Sequence, residues 1–141
     1  MYYLDTNILL YSINRADSIK QQQARTLIRP GGFISTQGIN ELCNVCLRKY
    51  RMPVADIDLL VLHLSQALVV LQPEVATIQE ALRLHARYGY SYFDCLHLAT
   101  ALQHRLPLFW TEDMHTGHRI NSSTGFELEI RNPFIGGSLS L

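Results

Sequence analysis

The sequence predicts an α/β domain, a parallel β-sheet covered by helices on both faces. Three observations predict it. Short apolar segments alternate along the chain with longer segments of helical period. The short segments are apolar throughout rather than at every second residue, as strands buried on both faces are. Turn and cap residues (Ser, Asn, Asp, Gly, Pro) punctuate nearly every change of period. A length of 141 residues suits one domain spanning 1–141, with a substantial core and no repeat or linker. Hydrophobic content of 48% with 17% charged residues excludes a disordered chain.

Tyr2-Tyr3-Leu4 reads as the first strand. Ile8 to Tyr11 opens a short helix that Thr6 or Asn7 is placed to cap. Ser18 starts a second helix, ended by Pro30 and the Gly31-Gly32 pair. Phe33-Ile34 forms strand two, and Ser35 or Thr36 caps a helix with an apolar stripe at Ile39, Leu42, Cys43, Cys46, Leu47 and Tyr50. Pro53 begins another helix leading into the strand Leu68-Val69-Val70-Leu71. Pro73 is expected as the first residue of a helix ending near Tyr88, with Gly89 as its stop. Ser91 opens a helix through about Arg105, and Pro107 precedes strand four, Leu108-Phe109-Trp110. A polar stretch follows, then a late strand over Phe126 to Ile130.

Charge and cysteine usage narrow the setting. Twelve basic and twelve acidic residues give a net charge of zero, so composition carries no nucleic-acid signature. Lys20 and Lys49 are the only lysines, and the arginine bias suits bidentate pairing with carboxylate or phosphate. The opening MYYLDTNILL lacks a basic leader region, and no segment is apolar enough to span a membrane. Three cysteines cannot close a disulfide framework, which points to a reducing, cytoplasmic location.

The chemistry is carried by four acids at strand-to-helix junctions: Asp5, Glu41, Asp94 and Asp113. In an open α/β sheet such junctions gather at the carboxyl ends of the strands. Two ionised carboxylates ~4 Å apart repel by roughly 4 kcal/mol at an effective dielectric of about 20. A converging group must protonate, spread or bind a cation. Oxygen-only ligation suits Mg²⁺ or Mn²⁺, which assist hydrolysis of phosphate esters. Each acid also has a plain structural reading: a turn or cap for Asp5, a capping box with Ser91 for Asp94, a solvated helix flank for Glu41, and an exposed turn for Asp113. Their shared placement favours the joint site.

These segments resemble a PIN domain, in particular the VapC-type toxins of VapBC toxin–antitoxin modules. LDTNILLY matches the family's first strand and aspartate, STQGINEL the segment with its glutamate, SYFDCLHLATAL the helix with its third acid, and TEDM with Gly117 the fourth. The closing IRNPF is similar to the last strand. The resemblance implies a five-stranded parallel sheet and a Mg²⁺- or Mn²⁺-dependent endoribonuclease acting on RNA. It implies Asp5, Glu41, Asp94 and Asp113 as metal-binding acids, with Asn7 and Thr111 supporting the first and fourth. Glu112 is an extra acid, and Asp113 is preferred because it holds the family's place after Thr111. Family partners are a second copy in a homodimer and a small DNA-binding antitoxin, with no membrane. The alternatives are a PIN-domain RNA-processing nuclease without an antitoxin, and a non-catalytic scaffold binding RNA or protein. A haloacid-dehalogenase-type phosphatase would place a second Asp where this chain has Asn7.

Other residues have simpler readings. Cys43 and Cys46 fit the apolar stripe of their helix better than a zinc site. His115 and His118 follow Asp113 and read mainly as surface groups, and Trp110 reads as core. His97, one turn after Asp94, is placed to orient that acid or simply to pack. Arg15, Arg48, Lys49 and Arg51 are available to an RNA backbone, although solvated basic residues are common on helices.

Overall fold

The computed structural model describes residues 1–135. Five strands run parallel: β1 (Tyr2–Leu4), β2 (Phe33–Ser35), β3 (Val69–Leu71), β4 (Leu108–Trp110) and β6 (Glu127–Arg131). A sixth, β5 (Arg119–Asn121), pairs antiparallel with β6 at the sheet edge, giving the order β3-β2-β1-β4-β6-β5. The sequence reading has no β5. Three residues, only one of them buried, carry too little pattern to mark a strand.

Six helices cover the sheet: α1 (Thr6–Ile13), α2 (Ser18–Ile28), α3 (Thr36–Arg48), α4 (Val54–Ala67), α5 (Val75–Tyr88) and α6 (Tyr92–Gln103). Period-2 alternation divides the core. Tyr3 and Phe109 point to one face, where their rings stack at 5.0 Å beneath Leu84 of α5 and Leu98 of α6. Leu4 and Trp110 point to the other, against Ile8, Leu27, Leu42 and Leu64 from α1 to α4. Each fully buried aliphatic side chain contributes about 1.5–3 kcal/mol.

Local chemistry sets the helix ends. Asp5, not Thr6 or Asn7, caps α1, its side chain accepting from the Thr6 amide. The helix therefore begins earlier than the apolar run suggests. Ser35 caps α3 and Ser91 caps α6, as the sequence implies. Pro73 stands outside α5, whose cap is Glu74 in a reciprocal box with Thr77. Leu47, counted in the α3 stripe, is half exposed.

Gly89 closes α5 with φ +78°, a left-handed conformation that disfavours a Cβ. Space is not the issue, since nothing lies within 4 Å of the point a Cβ would occupy. Gly89→Ala is therefore expected to cost about 1 kcal/mol through backbone strain alone. Chemical denaturation of the two proteins checks this, with an unchanged midpoint as the contrary result.

Candidate functional site

Strand order creates the site. β1 lies at the centre with β2 on one side and β4 on the other, so the chain reverses its direction of winding at β1 and opens a crevice there. Asp5 follows β1, Thr111 follows β4, and Ser35 ends β2 and launches α3 with Glu41 in its second turn. Register places Leu4 beside Trp110, and the Asp5 amide donates to the Trp110 carbonyl at 3.0 Å.

Asp5 is the buried centre, with a residue exposure of 3%. Its Oδ1 accepts from the Thr6 amide at 2.8 Å, and its Oδ2 accepts from the Thr111 hydroxyl at 2.8 Å. Asn7 Nδ2 donates to Asp113 Oδ2 at 2.9 Å and to Thr111 Oγ1 at 3.0 Å, with Asp5 Oδ2 farther off at 3.4 Å. Thr111 Oγ1 also accepts from the Asp113 amide at 3.1 Å. Asn7 and Thr111 thus connect the first and fourth acids through neutral donors.

Glu41 enters from α3. Thr6 donates its hydroxyl to Oε2 at 2.8 Å, and Gln37 donates to Oε1 at 3.0 Å. The third partner is His97, whose Nε2 lies 3.0 Å from Glu41 Oε1 and 3.7 Å from Asp5 Oδ1. His97 is expected beside Asp94, one turn away on its own helix. Its direct bond reaches across to α3 instead, while Asp94 acts on it only through charge. On the far side of the ring, Nδ1 meets the buried Tyr3 hydroxyl at 2.6 Å, and that hydroxyl donates to Ser35 Oγ at 2.8 Å. Asp5, Glu41 and His97 have donor atoms mutually within 4.8 Å.

Asp94 stands in the first turn of α6, where its amide donates to Ser91 Oγ at 3.2 Å. It is half-buried, outside the tight set, yet the charges of Asp5 and Asp113 act on it. Glu112 is drawn the other way. Lys20 Nζ pairs with it at 3.0 Å and sits over the Tyr11 and Phe134 rings. A cation already neutralises Glu112, so Asp113 is the member of the pair that faces the other acids.

The electrostatics follow from this. Burial raises the pKa of Asp5 above the ordinary carboxylate value, against the opposing pull of His97, Thr111 and Thr6, and the Glu41 charge raises it further. Burial and the neighbouring Asp5 charge likewise raise Asp94. Burial also opposes ionisation of Glu41, but its bonds to His97, Thr6 and Gln37 outweigh that and hold it below the usual range. Burial pushes His97 down, but the bond to Glu41 and the charges of Asp5, Glu41 and Asp94 raise it on balance. The charges of Asp5, Glu41 and Asp94 thus all act on a single imidazole.

Thr6, Gln37, Tyr3 and Ser35 are participants that sequence reasoning does not identify. The one signal in the chain was the cap position of Thr6 and Ser35. Cys43, Cys46 and Cys95 are free thiols, two of them buried, and Trp110 is core, as expected. His115 and His118 lie beyond Asp113, with His118 Nδ1 at 2.7 Å from the Tyr90 hydroxyl.

A pH dependence follows. The raised pKa values of Asp5, Asp94 and His97 mean that folding favours their protonated forms. That stability is present at low pH and is lost as pH rises through the folded values. The metal-free protein is therefore expected to melt at falling temperature as pH rises past the ordinary carboxylate and imidazole values. Asp94→Asn removes one contributor and is expected to raise the metal-free melting temperature at pH ~7.5 by roughly 1–4 °C. Calorimetric melts in chelator check this, and a lower melting temperature for the variant is the contrary result.

Comparison with known proteins agrees with the geometry. No curated protein matches the sequence. Among solved structures, the chain is similar to DNA-bound VapBC from Salmonella typhimurium, with a TM-score of 0.67 and 18% identity over 94% of this chain and 97% of that one. It is similar to a toxin–antitoxin complex from Klebsiella pneumoniae, with a TM-score of 0.62 and 23% identity over 80% of this chain and 87% of the other. It is also similar to VapC20 of Mycobacterium tuberculosis, a sarcin–ricin-loop-cleaving toxin, with a TM-score of 0.65 and 16% identity over 80% and 92%. At these identities the likeness is one of fold. The PIN domain family model matches residues 2–116, which carry all four acids and the groups that hold them. The chain belongs to the PIN domain family.

Proposed function

We propose that this protein is a metal-dependent endoribonuclease and the toxin component of a toxin–antitoxin module. The single observation that carries the reading is the Asp5, Glu41 and Asp113 constellation, tied together by Thr6, Asn7 and Thr111, with Asp94 facing it from α6. The fold likeness to VapBC complexes supports the toxin assignment.

The donor set fits a hard divalent cation. It offers carboxylate oxygens, Lys20 is already committed to Glu112, and burial together with neighbouring carboxylate charge holds Asp5 and Asp94 at raised pKa. Asp5, Glu41, Asp94 and Asp113 would hold Mg²⁺ or Mn²⁺. The ion would supply an activated water and charge neutralisation at a phosphodiester. The protein's own part is positional. Thr6, Thr111 and Asn7 fix the carboxylate oxygens, and His97 with Gln37 fixes Glu41. Neutral donors orient the acids without cancelling the charge that attracts the cation. A carboxylate freed by the ion can accept a proton from the attacking water.

We assign the PIN-like domain to the whole chain, 1–141. β5 and β6 lie after the family match yet complete the sheet. Among the described residues no helix is long and apolar enough to cross a membrane, and the free thiols suit a reducing compartment. We place the protein in the cytoplasm, as a homodimer held inactive by a small DNA-binding antitoxin.

The test combines two measurements on the same proteins. Wild type is expected to bind Mn²⁺ at one or two sites by calorimetry and to cleave single-stranded RNA only with added Mg²⁺ or Mn²⁺. Asp5→Asn and Asp94→Asn are each expected to lower cleavage by at least ~100-fold and to weaken Mn²⁺ binding. Undiminished cleavage by both variants, or metal binding without any nuclease activity in wild type, would remove the reading.

A further inference from the structure

A channel leads away from the acids along the outer face of α1. Asn7, Leu10, Tyr11 and Asn14 recur at helical spacing and form one wall, while Lys49 and Tyr50 at the end of α3 form the other. This depression holds about 190 Å³ and begins at Asn7, the residue that donates to Asp113. A second depression of about 340 Å³ continues it, sharing Asn14 and Tyr50 and adding Ile13, Arg15 and Met52. From Asn7 to Asn14 the helix rises ~10 Å, the length of roughly three stacked nucleotides at about 3.4 Å each.

Charge identifies the occupant. No Asp or Glu lines either depression, whereas each carries an exposed cation, Lys49 in the first and Arg15 in the second. Arg48 and Arg51 flank the same turn and are exposed. Among the described residues none of these four cations is in an ion pair, unlike Lys20, Arg83, Arg119 and Arg131. The two cations that line the depressions thus stand there with no acid beside them. An apolar peptide would have no use for the cations, and a basic one would be repelled by them. A polyanion with flat apolar rings fits both features.

We propose that this channel binds the single-stranded RNA flanking the cleaved bond. Tyr50 serves as a stacking platform for a base, and Lys49 and Arg15 take phosphates. Tyr50 lines both depressions, so it is the one aromatic a passing strand must meet. Tyr11 has Lys20 4.7 Å above its ring and Phe134 at its edge, which leaves it as wall, whereas Lys49 stands off at 6.0 Å from the Tyr50 centroid. Asn14 Oδ1 accepts from the Ala16 amide, so its NH₂ group remains to donate to a base edge. The assignment rests on the ribonuclease reading above, but binding can be measured without cleavage.

The experiment measures affinity of the full chain for a fluorescent eight-nucleotide RNA in chelator, across a salt series. Each phosphate contact in a single strand contributes about 0.7 to the slope of log K against log salt. The double variant Arg15→Gln/Lys49→Gln is expected to bind at least ~10-fold more weakly, with a slope shallower by roughly 1.4. Tyr50→Ala is expected to lose roughly 10-fold, Tyr50→Phe to retain affinity, and Arg105→Gln, at the amino ends of the strands, to match wild type. Unchanged affinity and slope in the double variant, or equal loss in the Arg105 control, would overturn the channel. If wild type fails to cleave RNA with metal while these binding differences hold, the channel stands and the nuclease reading falls. Cleavage by wild type with no binding difference means the reverse.

Discussion

A carboxylate at 3% exposure, placed where a central strand meets a helix, is the constraint from which the rest of this structure follows. An ionised group taken out of water must find donors or a cation. Asp5 finds the Thr6 amide and the Thr111 hydroxyl, one from its own helix start and one from the neighbouring strand end. Those bonds lock β1 to β4 where the winding direction reverses. They also fix Asn7, which reaches Asp113, and Thr6, which reaches Glu41. The site is thus an outgrowth of the solution to one burial problem.

The choice of donors separates a binding site from a structural ion pair. Lys20 and Glu112 lie beside Asp113 and solve their own problem by pairing directly, with aromatic rings over the ammonium. No lysine or arginine pairs with Asp5, Asp94 or Asp113 among the described residues, although His97 Nε2 stands 3.7 Å from Asp5 Oδ1. His97, held by Tyr3 from the far side, joins Thr6 and Gln37 in holding Glu41 low, while burial raises Asp5 and Asp94.

Much of this was legible in the chain. The strands β1 to β4 are short apolar runs, and Asp5 stands at a strand-to-helix junction as read, but Glu41 lies in the second turn of α3, Asp94 opens α6 after a helix, and Asp113 follows β4 into a loop. Asn7 and Thr111 were legible only through the PIN resemblance. What escaped depends on contacts between distant segments. His97 sits one turn from Asp94, but its ring reaches from α6 to Glu41 on α3, 56 residues away. The pairing of Glu112 with Lys20 spans 92 residues and has no local signature. Strand β5 is three residues with one buried side chain and is defined by its partner β6. Asp5, Thr6 and Asn7 were all placed to cap α1, and the carboxylate takes the role.

The central claim is that these carboxylates share one divalent ion site. A crystal soaked in Mn²⁺ and measured for anomalous scattering tests it without reference to activity. The account predicts a peak within bonding distance of Asp5 and at least one of Asp94 and Asp113. A map with strong peaks only elsewhere on the surface, and none in the crevice beyond β1 and β4, would contradict it.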